Sequence, residues 1–223
     1  MIDDRTPEFW RLIESRGWAH FSAGTSDHVI LRELNRAAYS FGTPVSGRNG
    51  SKGEILRPQA QDSAHPRSLS SSFGLGAFPL HAELSHRLRP CRYLLLACLD
   101  PGDGSSPTTM LDWRTLQFTS DQLQLLNSAP VLVRAGRQSF YSTILPVDRA
   151  FLRYDLGCVE AVDARGTEAL RTITQKLKDA RQEFFHWALG DILVIDNWRV
   201  LHGRAPCADH SNRTLARVLV DAY

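Results

Sequence analysis

No stretch of this sequence stays apolar for the roughly 20 residues that a membrane helix needs. Charge of one sign is not in excess either. A formal net charge of +2 is too small to argue for nucleic acid or an anionic membrane surface, so any partner has to be read from local sites. The four cysteines, Cys91, Cys98, Cys158 and Cys207, are scattered with no CxxC pair, which fits free thiols in a reducing cytoplasm. Met1–Arg5 is acidic and polar and lacks a basic start followed by an apolar run, so a secretory signal is not expected. No repeat and no linker divides the chain. The expectation is one domain over residues 1–223, long enough to bury a full core.

Hydrophobic content of 43% and charged content of 22% are those of an ordinary soluble domain. Thr6-Pro7 reads as a helix start and Gly17 as its left-handed stop. Ser26 is placed to cap a second helix over Asp27–Phe41, with Val29, Ile30, Leu34, Ala37, Ala38 and Phe41 at helical spacing. Thr43–Ser72 is rich in Gly, Ser and Pro and reads as a long irregular loop, either a lid or plain surface. Beyond Phe73 come short strand-like runs: Arg92–Leu99, Thr108–Asp112, Val131–Val133, Ser139–Leu145 and Phe151–Tyr154. Helices are expected near Ser120–Leu126 and over Thr167–Arg181. The final strands are Ile192–Asn197 with a continuation to His202, and Arg213–Ala222. Helices in front and many short strands behind predict a mainly β protein with flanking helices, built on a double-stranded β-helix or jelly-roll, cupin-like core.

Two places carry chemistry. In a strand, residues two apart face the same way, so His81 and Glu83 of His81-Ala82-Glu83 can chelate one ion from one wall. The pair also occurs as a partly exposed histidine beside a solvated glutamate. His202 ends an apolar strand that demands burial, and a lone buried histidine is more often a hydrogen-bonded core residue than a ligand. Together they make two histidines and one carboxylate on strands, the set that holds non-haem Fe(II) on one face and leaves the other face open.

The string Gly190-Asp191 … Ile195-Asp196-Asn197-Trp198-Arg199-Val200-Leu201-His202-Gly203-Arg204 resembles the C-terminal signature of Fe(II)- and 2-oxoglutarate-dependent dioxygenases of the taurine dioxygenase/clavaminate synthase-like superfamily. Phe78-Pro79-Leu80-His81-Ala82-Glu83 is similar to that superfamily's proximal metal motif, in the glutamate form of the clavaminate synthase-like branch. That branch oxidises amino acids and amino-acid-derived intermediates of natural-product pathways. The resemblance runs from about Gly17 to the C-terminus and includes Phe151-Leu152-Arg153-Tyr154-Asp155.

The resemblance implies Fe(II) on His81, Glu83 and His202, with 2-oxoglutarate and O2 as co-substrates. It implies that Arg213 and Thr108 hold the far carboxylate of 2-oxoglutarate, with Thr109 the neighbouring alternative. A guanidinium suits that task because a buried carboxylate needs a charge-assisted, bidentate partner. Arg217 faces the same side of a strand roughly 13 Å further on, at about 3.3 Å per residue. It is a candidate for an acidic group of the prime substrate, and otherwise a structural ion pair. Asp196 and Asn197 are read as fixing the turn that aims His202. Arg204 is expected to pair with a carboxylate, and Arg153 with Asp155 unless it lines the pocket. His86, His186 and His210 have no partner at ligand spacing.

The implied reaction gives succinate, CO2 and a hydroxylated substrate. Desaturation, cyclisation and epoxidation would use the same ligands, whereas halogenating relatives lack the carboxylate that Glu83 supplies. The prime substrate is a small molecule, free or carrier-protein-bound, and the chain is short for the superfamily, which points to a reduced lid. Two rivals keep the barrel: a cupin-type hydrolase or isomerase using Zn2+ or Mn2+, and a binding module without chemistry. The first gives no reason for Arg213 or Thr108; the second gives no reason for three ligands. Oligomeric state is not readable.

Overall fold

The computed structural model describes residues 6–47, 50–64, 68–104, 106–208 and 211–222. The readings of Met1–Arg5 and His210 lie outside these residues. In chain order the elements are α1 (Pro7–Arg16), β1 (Trp18–Ser22), α2 (Asp27–Phe41), β2 (Thr43–Val45), β3 (Gly53–Leu56), α3 (Leu69–Phe73), β4 (Phe78–His81), β5 (Tyr93–Asp100) and β6 (Thr108–Asp112). They continue with α4 (Ser120–Ser128), β7 (Val131–Val133), β8 (Phe140–Ser142), β9 (Val159–Ala161), α5 (Ala164–Asp179), β10 (Glu183–Phe185), β11 (Asp191–Asp196), β12 (Val200–Arg204) and β13 (Thr214–Asp221).

The starts of α1, α4 and α5 follow from their capping residues, whereas Ser26, the expected cap of α2, makes no side-chain cap bond. Thr6 accepts from the Phe9 amide, and Gly17 closes α1 at φ 81°. Thr119 and Gln122 form a reciprocal capping box at the start of α4. Asp163 accepts from the Gly166 amide at α5.

Two antiparallel sheets make the core. The larger runs β1-β11-β5-β13-β2, with β3 also on β13; the smaller runs β10-β6-β12-β4. Strand alternation sorts the side chains between layers. Leu193 and Ile195 of β11, and Leu215 and Leu219 of β13, join Met110, Phe185 and Val200 of the small sheet in one shared interior. Their neighbours Ile192, Val194, Ala216, Val218 and Val220 face the other way, under Phe9, Ile30, Leu34 and Phe41 of α1 and α2. Each fully buried Leu or Ile contributes about 1.5–3 kcal/mol relative to exposure. The outer face of the small sheet, with Leu80, Leu111 and Leu201, is covered by α4, α5 and a third sheet β8-β7-β9. Two sheets sharing one interior, buttressed by helices, is the expected double-stranded β-helix core. Gly190, just before β11, has φ 86°, and a Cβ there would lie 1.8 Å from the Gly24 carbonyl oxygen, so only glycine fits.

Three expectations need correction. Thr43–Ser72 is not one irregular loop: β2 and β3 both add to β13, and α3 closes the segment. Phe151–Tyr154 is extended but joins no ladder; its backbone bonds run to separate places, Arg153 N to Ile144 O and Tyr154 O from Ala82 N. The run at Ser139–Leu145 shortens to Phe140–Ser142. Strands β9 and β10, three residues each, carry no alternation long enough to announce them.

Candidate metal centre

His202 is fixed from both sides by backbone pairing, lying opposite His81 of β4 and opposite Met110 of β6. It thus shares the interior-facing side with Met110. The two imidazole rings are 4.4 Å apart between centroids. His81, Glu83 and His202 bring one donor atom each to within 4.8 Å of one another, the only such cluster of three potential metal ligands among the described residues. His81 accordingly stands at the end of β4. Its Nδ1 lies 3.0 Å from the Pro79 carbonyl, to which it can donate, leaving Nε2 as the lone-pair nitrogen.

Glu83 reaches the cluster by a route that strand alternation does not supply. It lies past the end of β4, before Leu84 at φ 57°. The Asn197 side chain replaces the missing strand partner: its Oδ1 accepts from the Glu83 amide at 2.7 Å. Its Nδ2 donates to the Glu83 carbonyl at 3.0 Å and to the Cys91 carbonyl at 2.8 Å. Asn197 therefore aims the glutamate rather than His202. Asp196 accepts from Arg92 at 2.8 Å and from the Trp198 amide at 3.1 Å, shaping the turn into β12. Arg153 does not pair with Asp155. It is 2% exposed and donates to the carbonyls of Ser85, Arg87 and Leu88, tying down the segment that follows Glu83.

The electrostatics suit a cation. Burial opposes the charge on Glu83, but Arg217 and the two histidines outweigh it and bring its carboxyl down to about 2. Burial above all, with His81 also acting against the charge, pulls His202 down to about 3, so it is neutral and able to ligate. His202 Nε2 lies 3.9 Å from Glu83 Oε2, beyond hydrogen-bond distance but at a spacing that suits two ligands of one ion. The donor set therefore fits a divalent metal.

Beside this cluster lies an anion-seeking corner. Arg213 is 8% exposed, donates from Nη1 to the Ser106 carbonyl at 2.8 Å, and leaves Nε unsatisfied. No carboxylate pairs with it among the described residues. Burial pushes its guanidinium below the usual arginine range. Arg204 is depressed too, by burial and by the nearby Arg213 charge. Contrary to expectation, Arg204 pairs with no carboxylate among the described residues; it donates to the Gly74 and Gly76 carbonyls at 2.7 Å and stacks on Phe78. Thr108 lies opposite Arg204 and shares the face of Met110, and its hydroxyl accepts from Trp187 Nε1 at 3.1 Å. Thr109 points the other way.

Arg217 faces the interior between Leu215 and Leu219. Its Nη1 donates to Glu83 Oε2 at 2.7 Å, and its Nε donates to Glu54 Oε2 at 3.1 Å. Glu54 was not singled out from sequence. Its signal was an acidic residue alternating with Leu56 inside a polar segment.

The Taurine catabolism dioxygenase TauD, TfdA family matches residues 118–219, a span that holds His202, Arg213 and Arg217 but not His81 or Glu83. Among solved structures, an asparagine oxygenase in complex with Fe(II), 2S,3S-3-hydroxyasparagine and succinate has TM-score 0.77 at 17% identity. The match covers 96% of this chain and 77% of that one. The non-heme iron oxygenase OrfP in complex with Fe, succinate and (3S)-hydroxy-L-Arg gives 0.75 at 17% identity, over 97% and 80%. OrfP with Fe and alpha-ketoglutaric acid gives 0.73 at 18% identity, over 97% and 78%. At such identities the structural likeness establishes the fold.

Proposed function

We propose that the chain is a dioxygenase of the TauD/TfdA type, an Fe(II)- and 2-oxoglutarate-dependent oxygenase that hydroxylates an amino acid or amino-acid-derived small molecule, a reading supported by the family match over residues 118–219 and by the fold. One observation carries the reading: two histidines and a glutamate converge with Glu83 ionised and His202 neutral, beside a buried Arg213 that lacks a carboxylate. Iron held there would supply the O2 chemistry that turns 2-oxoglutarate into succinate and CO2 while oxidising a substrate C–H bond.

The chain's own residues do the positioning. His81, Glu83 and His202 hold the metal from one wall. Arg213 grips the far carboxylate of 2-oxoglutarate, and Thr108, whose hydroxyl proton is free to point at an oxygen while Trp187 donates to its lone pair, shares it. The apolar interior around Met110, Leu215 and Leu219 keeps bulk water from these charges and strengthens them. Arg217 takes an acidic group of the substrate next to Glu83. A Zn2+ or Mn2+ hydrolase on the same ligands has no use for Arg213. Hydroxylation is the outcome assigned; desaturation, cyclisation and epoxidation are separated from it by product mass. A cytoplasmic setting is part of the reading, supported by four free cysteines, and a natural-product pathway is supported by the glutamate form of the proximal motif.

The test is direct. Without O2, Fe(II) and 2-oxoglutarate should give a visible charge-transfer band, and admitting O2 should yield succinate. Absence of both would sink the oxygenase reading. Arg213→Ala should weaken 2-oxoglutarate binding by roughly 2–5 kcal/mol, the cost of truncating a buried charge-assisted pair; unchanged affinity would transfer the role to Arg217.

A further inference from the structure

Between the two buried arginines of the anion-seeking corner lies a thiol. Of the four cysteines, Cys91, Cys98 and Cys158 are buried, and Cys207 alone is half-exposed. Burial pushes the Cys98 thiol up to about 11 and holds Cys91 well above the usual thiol range, so neither supplies the thiolate that attacks a disulfide. Short chains of hydrogen bonds tie Cys207 to both arginines. Its amide donates to the Leu75 carbonyl at 2.8 Å, and Arg204 Nη2 donates at 2.7 Å to the carbonyls on either side, those of Gly74 and Gly76. Its thiol donates to Ser106 Oγ at 3.1 Å, while the Ser106 carbonyl accepts from Arg213 Nη1 at 2.8 Å.

Both arginines lack an anion. Each is less than a tenth exposed, each has an Nε without a hydrogen-bond partner, and neither meets a carboxylate among the described residues. The far carboxylate of one 2-oxoglutarate would serve Arg213 and leave Arg204 without a partner of its own. Two like charges buried side by side and short of an anion draw anionic molecules to this rim. Ser106 makes the thiol consequential. Turning the S–H into a disulfide removes the donor to Ser106 Oγ and sets a bulky group against the residue that steadies Arg213.

We propose that Cys207 is a modification site at which a small, carboxylate-bearing disulfide forms a mixed disulfide, and that the adduct shuts the 2-oxoglutarate corner. The Cys207 sulfur attacks one sulfur of the reagent, whose S–S bond breaks as the new one forms. The leaving sulfur takes the electron pair and the proton that Cys207 gives up. One adduct and one free thiol result, so no further oxidant enters. Carboxylates of the attached group take Arg204 and Arg213, and excess thiol reverses the exchange. The closing of the corner rests on the oxygenase reading above; the modification itself does not.

The experiment treats the folded, full-length chain with oxidised glutathione, which is anionic, or with cystamine, which is cationic. Intact mass should show one glutathione per chain, and peptide mapping should place it on Cys207. Oxidised glutathione should react about tenfold faster than cystamine at low salt, the gap narrowing as salt is raised. 2-Oxoglutarate should slow the reaction. The adduct should in turn weaken 2-oxoglutarate by about tenfold or more, measured by calorimetry with Fe(II) and without O2, and dithiothreitol should restore it. Cys207→Ser keeps a donor for Ser106, so it should take no adduct and bind 2-oxoglutarate as wild type does. No adduct, an adduct on another cysteine, or equal rates for the two disulfides would overturn the proposal. So would an adduct on Cys207 that leaves 2-oxoglutarate affinity unchanged. An unmodified wild type that never binds 2-oxoglutarate would instead bring down the oxygenase reading, with mass and rates still deciding the modification. If Cys207→Ser does not fold, the wild-type peptide map decides.

Discussion

His202 and Glu83 meet in the same candidate centre but are held by different physics. The histidine lies inside β12, between β4 and β6, and its direction is set by ladder pairing on both sides. The glutamate lies past the end of β4, where pairing has stopped. Side chains take over there: the Asn197 amide bonds both backbone groups of Glu83, and Arg153 gathers the carbonyls of Ser85, Arg87 and Leu88 just beyond. Arg217 then neutralises the carboxylate. One ligand is placed by the sheet and the other by a set of individually replaceable polar contacts. The proximal side is thus the more breakable half of the centre.

The largest effect comes from removing a donor outright. His202→Ala should lose bound Fe(II) altogether, because the remaining histidine and glutamate cannot enclose an ion on one face. Since the strand is held by its ladder, the variant should fold. Iron content of the purified, reconstituted protein checks this, and wild-type iron in the variant would mean that the ligand is misassigned.

Asn197→Ala sharpens the comparison, for it leaves all three ligands in place. Partners of a metal ligand typically contribute about 10–100-fold in metal affinity. We expect a fall of that size for Fe(II), measured by competition with a chelator. The unpaired Glu83 amide and Cys91 carbonyl should also cost about 1–3 kcal/mol of stability. Asn197→Asp keeps the acceptor and loses both donated bonds, so it should recover part of the affinity. Full wild-type affinity in the alanine variant would show that Glu83 needs no such clamp.

The same contrast explains what the sequence made legible. His202, Asn197, Arg213 and Arg217 lie on or next to long, apolar, alternating strands, where face and burial follow from spacing alone. Glu83 does converge with the two histidines, but not by strand alternation: a left-handed Leu84 and a distant amide deliver it. For Arg153 the sequence offers its near neighbour Asp155 or the pocket, yet its acceptors are backbone carbonyls 65 to 68 positions away. Glu54 belongs to a four-residue strand in a polar segment, and its partner is 163 positions distant. Contacts of that range leave no local period. Which of Thr108 and Thr109 faces the interior depends on the side that Met110 takes.

Acid gives the smallest and most graded test, and it reads the two ligands together. Burial and then His81 pull His202 from 6.5 to about 3, while Arg217 and the histidines overcome burial to pull Glu83 from 4.5 to about 2. Both groups therefore bind fewer protons folded than unfolded. Their contribution to stability is present above the unfolded values and is lost as pH falls, starting near 6.5 for His202. Between 6.5 and 4.5 the histidine acts first, and it should remove about 1.4 kcal/mol per pH unit from the metal-free protein. His202→Gln has no proton to take up there. Urea unfolding of the two metal-free proteins across that range should show a shallower pH slope for the variant, the two slopes converging only near 3, where folded His202 itself takes up its proton. Parallel slopes would mean that the distal histidine is not held neutral by its burial. Fe(II) should flatten the wild-type slope, because a bound cation excludes the proton from the same lone pairs.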